Sequence, residues 1–435
     1  MKIHFIGVGG IGVSSLAQYY LSQKAEVSGS DLVSSEITDL LKKKGAKIII
    51  GKHNPKNVPS DSILVVYSPA VLSSNPELKK AISVGVKCLS YPEALGELTK
   101  QYFTIAVSGA HGKSTTTAMI ALVLDKSGLD PTVIIGTKIK EFNSTNFRAG
   151  KSKYLVIEAD EWNASFLSYW PKIIVLTNIE KEHLDYYRDL SHILKTFKEY
   201  VGHLPKDGIL VANKDDKNIA KLKALISKPQ FKTQDYFLKQ AEAERLKRIL
   251  KVPGEHNVLN ALAALSVARI LNIPDQKTYK ALSQYRGVWR RFDLSKKTIA
   301  GKLITLINDY GHHPTEIIAT LKAAREKFPN EKIWCVFQPH QYQRTFNLFK
   351  DFVSVFKKAP ADKLIITDIY SVAGREKAAI KKKVNSRKLV RAINDKKVNY
   401  LEKNKIAGFL KKNIKSKDIV ILMGAGDIYD LNKKL

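Results

Sequence analysis

The chain has 435 residues, enough for two to four domains, and its 44% hydrophobic and 26% charged content is that of an ordinary globular protein. No apolar run is long enough to span a bilayer as a helix, which excludes an integral helical membrane protein. The net charge of +31 would suit a nucleic-acid binder, but the lysines lie in short scattered groups such as Lys42 to Lys44 and Lys381 to Lys383, with no basic tail, so they read as a solvated surface that also gathers anionic substrates.

The first predicted strand is Lys2 to Ile6, so the chain enters a strand at once and reads as lacking a leader peptide. Gly7-Val8-Gly9-Gly10-Ile11-Gly12 follows, before a helix over Val13 to Leu21. This is G-x-G-x-x-G between strand and helix, a diphosphate cradle. Asp31 ends the next strand-like run about 20 residues on, where an acid can bind a ribose hydroxyl. Further strands are expected at Ile48 to Ile50 and Leu64 to Tyr67. Cys88 and Cys335 sit in strand-like sequence and read as reduced core residues, which fits a cytoplasmic setting.

A second unit opens with the strand Phe103 to Val107 and the turn Gly109-Ala110-His111-Gly112-Lys113-Ser114, with a helix from near Thr115 to Leu124. Position 107 is Val, so the full Walker spacing is not met, but the GxxGKS core is. Its amides offer an anion site, Lys113 a charge for a terminal phosphate, and Ser114 a hydroxyl for a phosphate-bound Mg²⁺. One such loop beside a dinucleotide fingerprint argues against a simple dehydrogenase, in which Lys113 has no task. It favours a kinase or ATP-dependent ligase acting on a nucleotide-linked substrate.

Strands at Tyr154 to Ile157 and Ile173 to Thr177 end in Glu158-Ala159-Asp160-Glu161 and in Asn178-Ile179-Glu180-Lys181-Glu182-His183. Ligands gather at the carboxyl ends of parallel strands, so Glu158, Asn178 and His183 are candidates to face phosphates, with Ser114 and Glu158 as Mg²⁺ ligands and His183 on a second metal. Residues 214–251 are polar and resist assignment, and His256 to Leu271 reads as a buried helix. The pattern resets near Arg290-Arg291-Phe292. The strand Leu303 to Ile307 leads to Asn308-Asp309-Tyr310-Gly311-His312-His313-Pro314, either a site or a helix start. A helix from Pro314 and strands at Ile333 to Phe337 and Ile419 to Leu422 complete an α/β chain of mainly parallel sheets.

In this order GAHGKSTTT, EADE, TNIEKEHLD, PGEHNVLNA, RRFD and NDYGHHPTE resemble the motifs of the Mur ligases, and the likeness reaches Gly424-Ala425-Gly426. The resemblance implies three domains, at 1–97, 98–287 and 288–435. The first would be Rossmann-like and bind a UDP-sugar. The second would be a P-loop ATPase-type domain. The third, also Rossmann-like, would bind an amino acid and close over ATP. It implies ATP-dependent joining of L-alanine to the lactyl carboxylate of UDP-N-acetylmuramate through an acyl phosphate, with two Mg²⁺ for which Mn²⁺ can substitute. A monomer or weak homodimer is expected, with no nucleic-acid or membrane partner.

Residue by residue, Gly9, Gly10 and Gly12 would approach the UDP diphosphate, with Asp31, Ser68, Asn178 and Arg290 in the substrate-binding set. Gly109, Ala110, His111, Gly112, Lys113, Ser114 and Thr115 would hold ATP phosphates. His256, Asn257 and Asn260 would lie at the adenine side, Arg291 at the γ-phosphate and Asp309 at the ribose. Tyr310, His312, His313, His340 and Arg344 would face the amino acid. Lys113, Glu158, His183 and Arg291 would carry the chemistry. The alternatives are a sister ligase that attaches a recycled murein peptide, a Mur-like protein without catalysis, and a nucleic-acid-stimulated ATPase.

The chain departs from the pattern in several places. Ala110 and Ser114 replace threonines. Trp162 and Asn163 stand where Ser and Asp are usual, and Glu182 where Asp is. Gln341 stands where a second arginine normally precedes Arg344 by three. The region 214–251 is also shorter than usual.

Overall fold

Apolar runs bounded by glycine turns become central strands here, because a parallel sheet covered on both faces needs strands that are buried on both sides. The computed structural model describes residues 1–372, 376 and 378–435. Among them eighteen strands form three sheets. The first sheet contains β1 (Lys2–Ile6), β2 (Glu26–Asp31), β3 (Lys47–Ile50), β4 (Leu64–Tyr67) and β5 (Lys87–Ser90), all parallel, in the order β3-β2-β1-β4-β5. The second contains β6 (Phe103–Ser108), β7 (Thr132–Ile139), β8 (Thr145–Arg148), β9 (Tyr154–Glu158), β10 (Ile173–Leu176), β11 (Ile209–Asn213) and β12 (Lys232–Tyr236), in the order β12-β11-β10-β6-β9-β7-β8. The third contains β13 (Asp293–Ile299), β14 (Lys302–Asp309), β15 (Ile333–Phe337), β16 (Lys363–Ile366), β17 (Val398–Tyr400) and β18 (Ile419–Met423), in the order β13-β14-β18-β15-β16-β17.

The chain groups into two compact units. Residues 1–180, 193–240 and 260–284 form one, with the first two sheets, and residues 181–192, 241–259 and 285–435 form the other, with the third sheet. In the first unit the strand order reverses direction next to β1 and again next to β6. These are the topological switch points where doubly wound sheets open a crevice. Each of the two glycine turns leaves one of these strands. In the second unit apolar residues pack on both faces of the sheet, Phe352 and Leu389 on one, Ile406 and Leu410 on the other.

Two strand pairs are antiparallel, β7 with β8 and β13 with β14, so the sheets are not wholly parallel. The third sheet also starts earlier than Leu303. β13 reads Asp-Leu-Ser-Lys-Lys-Thr-Ile and is mostly exposed, so it lacks an apolar run. The turn to β14 is Ala300-Gly301, both at positive φ (47° and 76°), the conformation of a tight hairpin whose twist suits the strands. The polar stretch 214–251 holds β12, an edge strand with three exposed residues at its start, and the helices Lys217–Leu225 and Glu242–Ile249. An edge strand needs only one buried side, which is why hydrophobic periodicity did not reveal it. Cys88 and Cys335 are both free.

Beneath the first glycine turn lies a buried carboxylate. Glu77 is fully buried and accepts hydrogen bonds from Ser30, Asn57 and the Asn54 amide, with His4 and His53 at 3.5 and 3.2 Å. Burial pushes its carboxyl up, but hydrogen bonds from His4, Ser30 and Asn57 outweigh this and hold it at about 2, against 4.5. A carboxyl depressed in the folded state stabilises it above the unfolded value. That stability is lost as pH falls from about 4.5 to about 2. The gap is worth on the order of 3 kcal/mol. Glu77→Gln should flatten the acid limb of the stability curve in that window; an unchanged acid limb in chemical denaturation would count against this account.

Candidate active site

The first glycine turn is tied to the ends of β2 and β4. Gly7, at φ +74°, and Val8 donate their amides to the Ser30 carbonyl at 2.9 and 3.1 Å. Gly9 donates to Asp31 Oδ2 at 2.8 Å. A Cβ on Gly9 would lie 2.9 Å from that oxygen, and one on Gly12 2.9 Å from the Tyr91 ring. Gly10 caps the helix Ile11–Ser22. Ser68, just past β4, would meet a Cβ on Gly7 at 3.0 Å. The Asp31 carboxylate thus braces the turn.

The second turn needs two glycines. Gly109 has φ +132° and Gly112 has φ +82°, and Gly112 is the N-cap of the helix Lys113–Lys126, which starts two residues earlier than Thr115. Asn178 clamps the turn on both sides of one residue, His111. Its Oδ1 accepts from the His111 amide at 2.8 Å, and its Nδ2 donates to the His111 carbonyl at 2.9 Å. Thr177 Oγ1 donates to the same carbonyl at 2.6 Å. The Asn178 side chain thus holds the loop. Thr177 was not expected to matter; a hydroxyl directly after a buried strand was the available signal. Asn260 Oδ1 accepts from Thr116 at 3.1 Å and would lie 2.6 Å from a Cβ on Gly112. Thr115 is buried in the first helical turn. A Cβ on Gly109 would come within 2.3 Å of Thr177 Oγ1 and 2.7 Å of the Asn178 carbonyl. Gly109→Ala should therefore strain the loop by at least ~1 kcal/mol and abolish ATP-dependent turnover; wild-type ADP release from the folded variant would contradict this.

Lys113 folds back over its own loop. Its Nζ donates to the Gly109 carbonyl at 2.7 Å and to Glu161 Oε2 at 2.7 Å, with Asp160 at 3.6 Å. Burial pushes the ammonium down, but the carboxylates of Glu161, Asp160 and Glu158 outweigh it and hold its pKa above the lysine range. Glu161 is buried, not part of a solvated loop. Ser114 Oγ donates to Glu158 Oε1 at 2.8 Å, and Gly136 N donates to Glu158 Oε2 at 2.9 Å. A hydroxyl and a carboxylate converging beside phosphate-binding amides form an oxygen donor set that fits Mg²⁺, which keeps its other sites for water and phosphate.

The second unit holds the remaining candidates. His183 takes φ +54°, and its carbonyl accepts the amides of Tyr186 and Tyr187. His256 and Asn257 open the helix Glu255–Ile270. Asn257 Nδ2 donates to the Pro253 carbonyl at 2.7 Å, and burial, helped by Arg291, lowers His256 to about 4. Arg290 is buried against the rings of Trp289, Tyr310 and Tyr429 and donates to the Gly424 and Gly426 carbonyls. It fixes the Gly424–Gly426 turn. Arg291 pairs with Glu316 at 2.8 Å. Asp309 accepts the amides of Phe292 and Gly311, both at 2.8 Å.

The paired histidines resolve into different tasks. His313 is the N-cap of the helix Pro314–Lys327: Nδ1 accepts the Thr315 amide at 3.3 Å, and Glu316 reaches back to the His313 amide. His312 is half-buried near Tyr310 and His340, and loss of solvent around it lowers it to about 4. His340 stacks on Tyr370. Arg344 is held by Glu182, whose Oε1 accepts from Nε at 3.0 Å and Nη2 at 2.6 Å. Burial would raise the Glu182 carboxyl, but Arg344 and the neighbouring His183, His312 and His313 keep it well below the usual range. Gln341 is buried at φ +72° in the same small cavity.

Two phosphate-binding turns at two switch points, one carrying Lys113, Ser114 and Glu158, define a nucleotide-dependent group-transfer enzyme. Comparison with known proteins narrows this. The catalytic-domain model of the Mur ligase family matches residues 2–103, the Mur ligase middle domain matches 107–268, and the Mur ligase glutamate ligase domain matches 290–426. The UDP-N-acetylmuramate–L-alanine ligase of Acetivibrio thermocellus is 42% identical over 455 residues, covering 99% of this chain and 94% of its own. That of Clostridium botulinum is 39% identical over 454 residues, covering 99% and 96%. The crystal structure of UDP-N-acetylmuramate–alanine ligase from Thermotoga maritima matches with a TM-score of 0.80 at 28% identity, covering 100% of this chain and 98% of that one. A murein peptide ligase from Psychrobacter arcticus matches at 0.72 and 22% identity over 100% and 98%, a likeness of fold alone. The chain belongs to the Mur ligase family. Mur ligases use ATP and Mg²⁺. No described helix is long and apolar enough to cross a membrane.

Proposed function

We propose that this chain joins L-alanine to the lactyl carboxylate of UDP-N-acetylmuramate, with ATP converted to ADP and phosphate. The observation that carries this reading is the pair of glycine turns on β1 and β6, one braced for a diphosphate and one carrying Lys113, Ser114 and Glu158. Two nucleotides are needed when one is substrate and the other drives the reaction. The relatives at 42% and 39% identity, over almost the whole chain, supply the substrate pair.

The lactyl carboxylate attacks the γ-phosphorus, and the bond to the ADP oxygen breaks. The loop amides and Lys113 neutralise charge as it builds on the transferred group. Mg²⁺, held by Ser114 and Glu158, would add Lewis-acid neutralisation; a second ion on His183, and Mn²⁺ in its place, belong to the same proposal. The amine of L-alanine then attacks the acyl carbon. The carbon–oxygen bond breaks, phosphate leaves, and the amine's extra proton goes to solvent. Arg291 is assigned to the γ-phosphate, Asp309 and the His256-Asn257-Asn260 set to the nucleoside, and Tyr310, His312, His340 and Arg344 to the amino acid. Domain boundaries near 97 and 287, a cytoplasmic setting, a monomer or weak homodimer, and no nucleic-acid partner complete the proposal. The test is ADP release over a nucleophile panel of Ala, Gly, Ser and a murein tripeptide. Release should require both UDP-N-acetylmuramate and L-alanine. Turnover with the peptide alone would make this a recycling ligase, and DNA- or RNA-stimulated hydrolysis would remove it from the class.

A further inference from the structure

One buried charge beneath the first glycine turn takes no part in the proposed chemistry. Glu77 lies in the first turn of the helix Pro76–Ser83, and its two oxygens gather donors from four segments of chain. Oε1 accepts from Asn57 Nδ2 at 2.6 Å and the Asn54 amide at 3.2 Å, with His53 Nδ1 also at 3.2 Å. Oε2 accepts from the Ser30 hydroxyl, with His4 Nε2 at 3.5 Å. His4 is on β1, Ser30 is on β2, His53 and Asn54 follow β3, and Asn57 ends the short helical turn Pro55–Asn57. An apolar side chain could fill this space without desolvating a charge. It could not hold those donors in one geometry.

Ser30 carries that geometry to the glycine turn. Its hydroxyl bonds Glu77, and its carbonyl accepts the amides of Gly7 and Val8 at 2.9 and 3.1 Å. The next amide along, that of Gly9, goes to Asp31, the residue after Ser30. Three successive amides of the turn are thus fixed to the end of β2, and with them the start of the helix Ile11–Ser22. That helix is capped by Gly10 with no side-chain cap bond, which leaves its first amides to an anion. Ser30 is 1% exposed and Glu77 0%, so neither touches a ligand in the crevice, and each can act only through the turn.

We propose that Glu77 is a positioning residue for the sugar nucleotide, which through Ser30 sets the aim of the turn that receives the diphosphate. This rests on the reading that the first turn takes the UDP-sugar, and it adds a residue outside the turn itself. Glutamine is the informative replacement. It has nearly the same volume, but one of its ends carries N–H donors and accepts nothing. Whether that end faces Ser30 and His4 or Asn57 and Asn54, it meets donors, so one side of the network opens.

The test is calorimetry of UDP-N-acetylmuramate and of a non-hydrolysable ATP analogue on the full chain, for wild type, Glu77→Gln, Ser30→Ala, the double variant and Leu78→Ala. Leu78 is a buried apolar neighbour on the same helix, so Leu78→Ala lowers stability without touching the carboxylate. Glu77→Gln should weaken the sugar nucleotide about 10-fold, the factor one hydrogen bond to a charged group is worth, and leave the ATP analogue unchanged. Ser30→Ala, which keeps the carbonyl and drops the hydroxyl, should do nearly the same, and the double variant should bind no worse than the weaker single. Leu78→Ala should bind as wild type does. In turnover the loss should fall on KM for UDP-N-acetylmuramate, with kcat held. Unchanged sugar-nucleotide affinity in Glu77→Gln would overturn the proposal. So would an equal loss in Leu78→Ala or for the ATP analogue, which would leave Glu77 a task in stability alone, and so would additive losses, which would mean that Ser30 is not the route. If Glu77→Gln does not fold, Ser30→Ala decides the same question. Wild-type enzyme that does not bind the sugar nucleotide would instead overturn the substrate assignment, and that result is visible before any variant is made.

Discussion

Lys113→Ala should lower UDP-N-acetylmuramate-dependent ADP release by about 10³-fold or more, the range seen when a positioned charge on a transferring group is lost. The side chain is the one mobile cation on the phosphate turn. In the structure its ammonium rests on the Gly109 carbonyl and Glu161, a dipolar and an anionic partner. A γ-phosphate offers a denser charge than either, so the ammonium has a stronger partner to move to. UDP-sugar binding should survive, because β1, β2 and β4 build its turn from other residues. Calorimetry with the sugar nucleotide and with a non-hydrolysable ATP analogue separates the two effects. Equal loss of both affinities would mean that the two turns do not serve two ligands. The variant also leaves Glu161 buried without its cation, so Lys113→Ala/Glu161→Gln should be more stable than Lys113→Ala alone.

Much of this site was legible because backbone chemistry dictates it. Gly109 and Gly112 announce positive φ, and a glycine turn between an apolar strand and a helix has few other uses. The strands β1, β6, β10, β15 and β18 were readable because double burial makes them mostly apolar. The polar edge strands β12 and β13 were not, since their few buried contacts leave no period. Side-chain roles were harder still. Asp31, Asn178, Asp309 and His313 all sit in motif positions that invite a ligand, and each also accepts a backbone amide, from a distant loop for Asp31 and Asn178 and from its own helix start for His313. A motif shows which residues share a place. Whether a carboxylate there faces the ligand or the loop that holds the ligand depends on partners distant in sequence. The Glu182–Arg344 pair is the extreme case, its members 162 positions apart.

Arg344→Ala should be the most destabilising single change in the third-sheet unit's site. Glu182 and Arg344 are 5% and 8% exposed, so removing the guanidinium strands a buried carboxylate. Breaking such a pair from one side costs about 3–5 kcal/mol, far more than the pair adds over two neutral groups. The same reasoning predicts that Glu182→Gln/Arg344→Ala recovers a large part of the loss, because a neutral amide needs no counter-ion. The double mutant should nevertheless use L-alanine poorly, since Arg344 is assigned to the amino acid. Urea unfolding of the wild type, both single variants and the double variant closes the cycle. Additive losses would mean that the two side chains do not share one buried charge balance, and the amino acid would then have to be recognised elsewhere. Strong coupling in stability together with loss of the alanine step would tie folding and nucleophile choice to the same pair. The acid one methylene longer at 182 and the missing arginine at 341 would then be two parts of one adjustment.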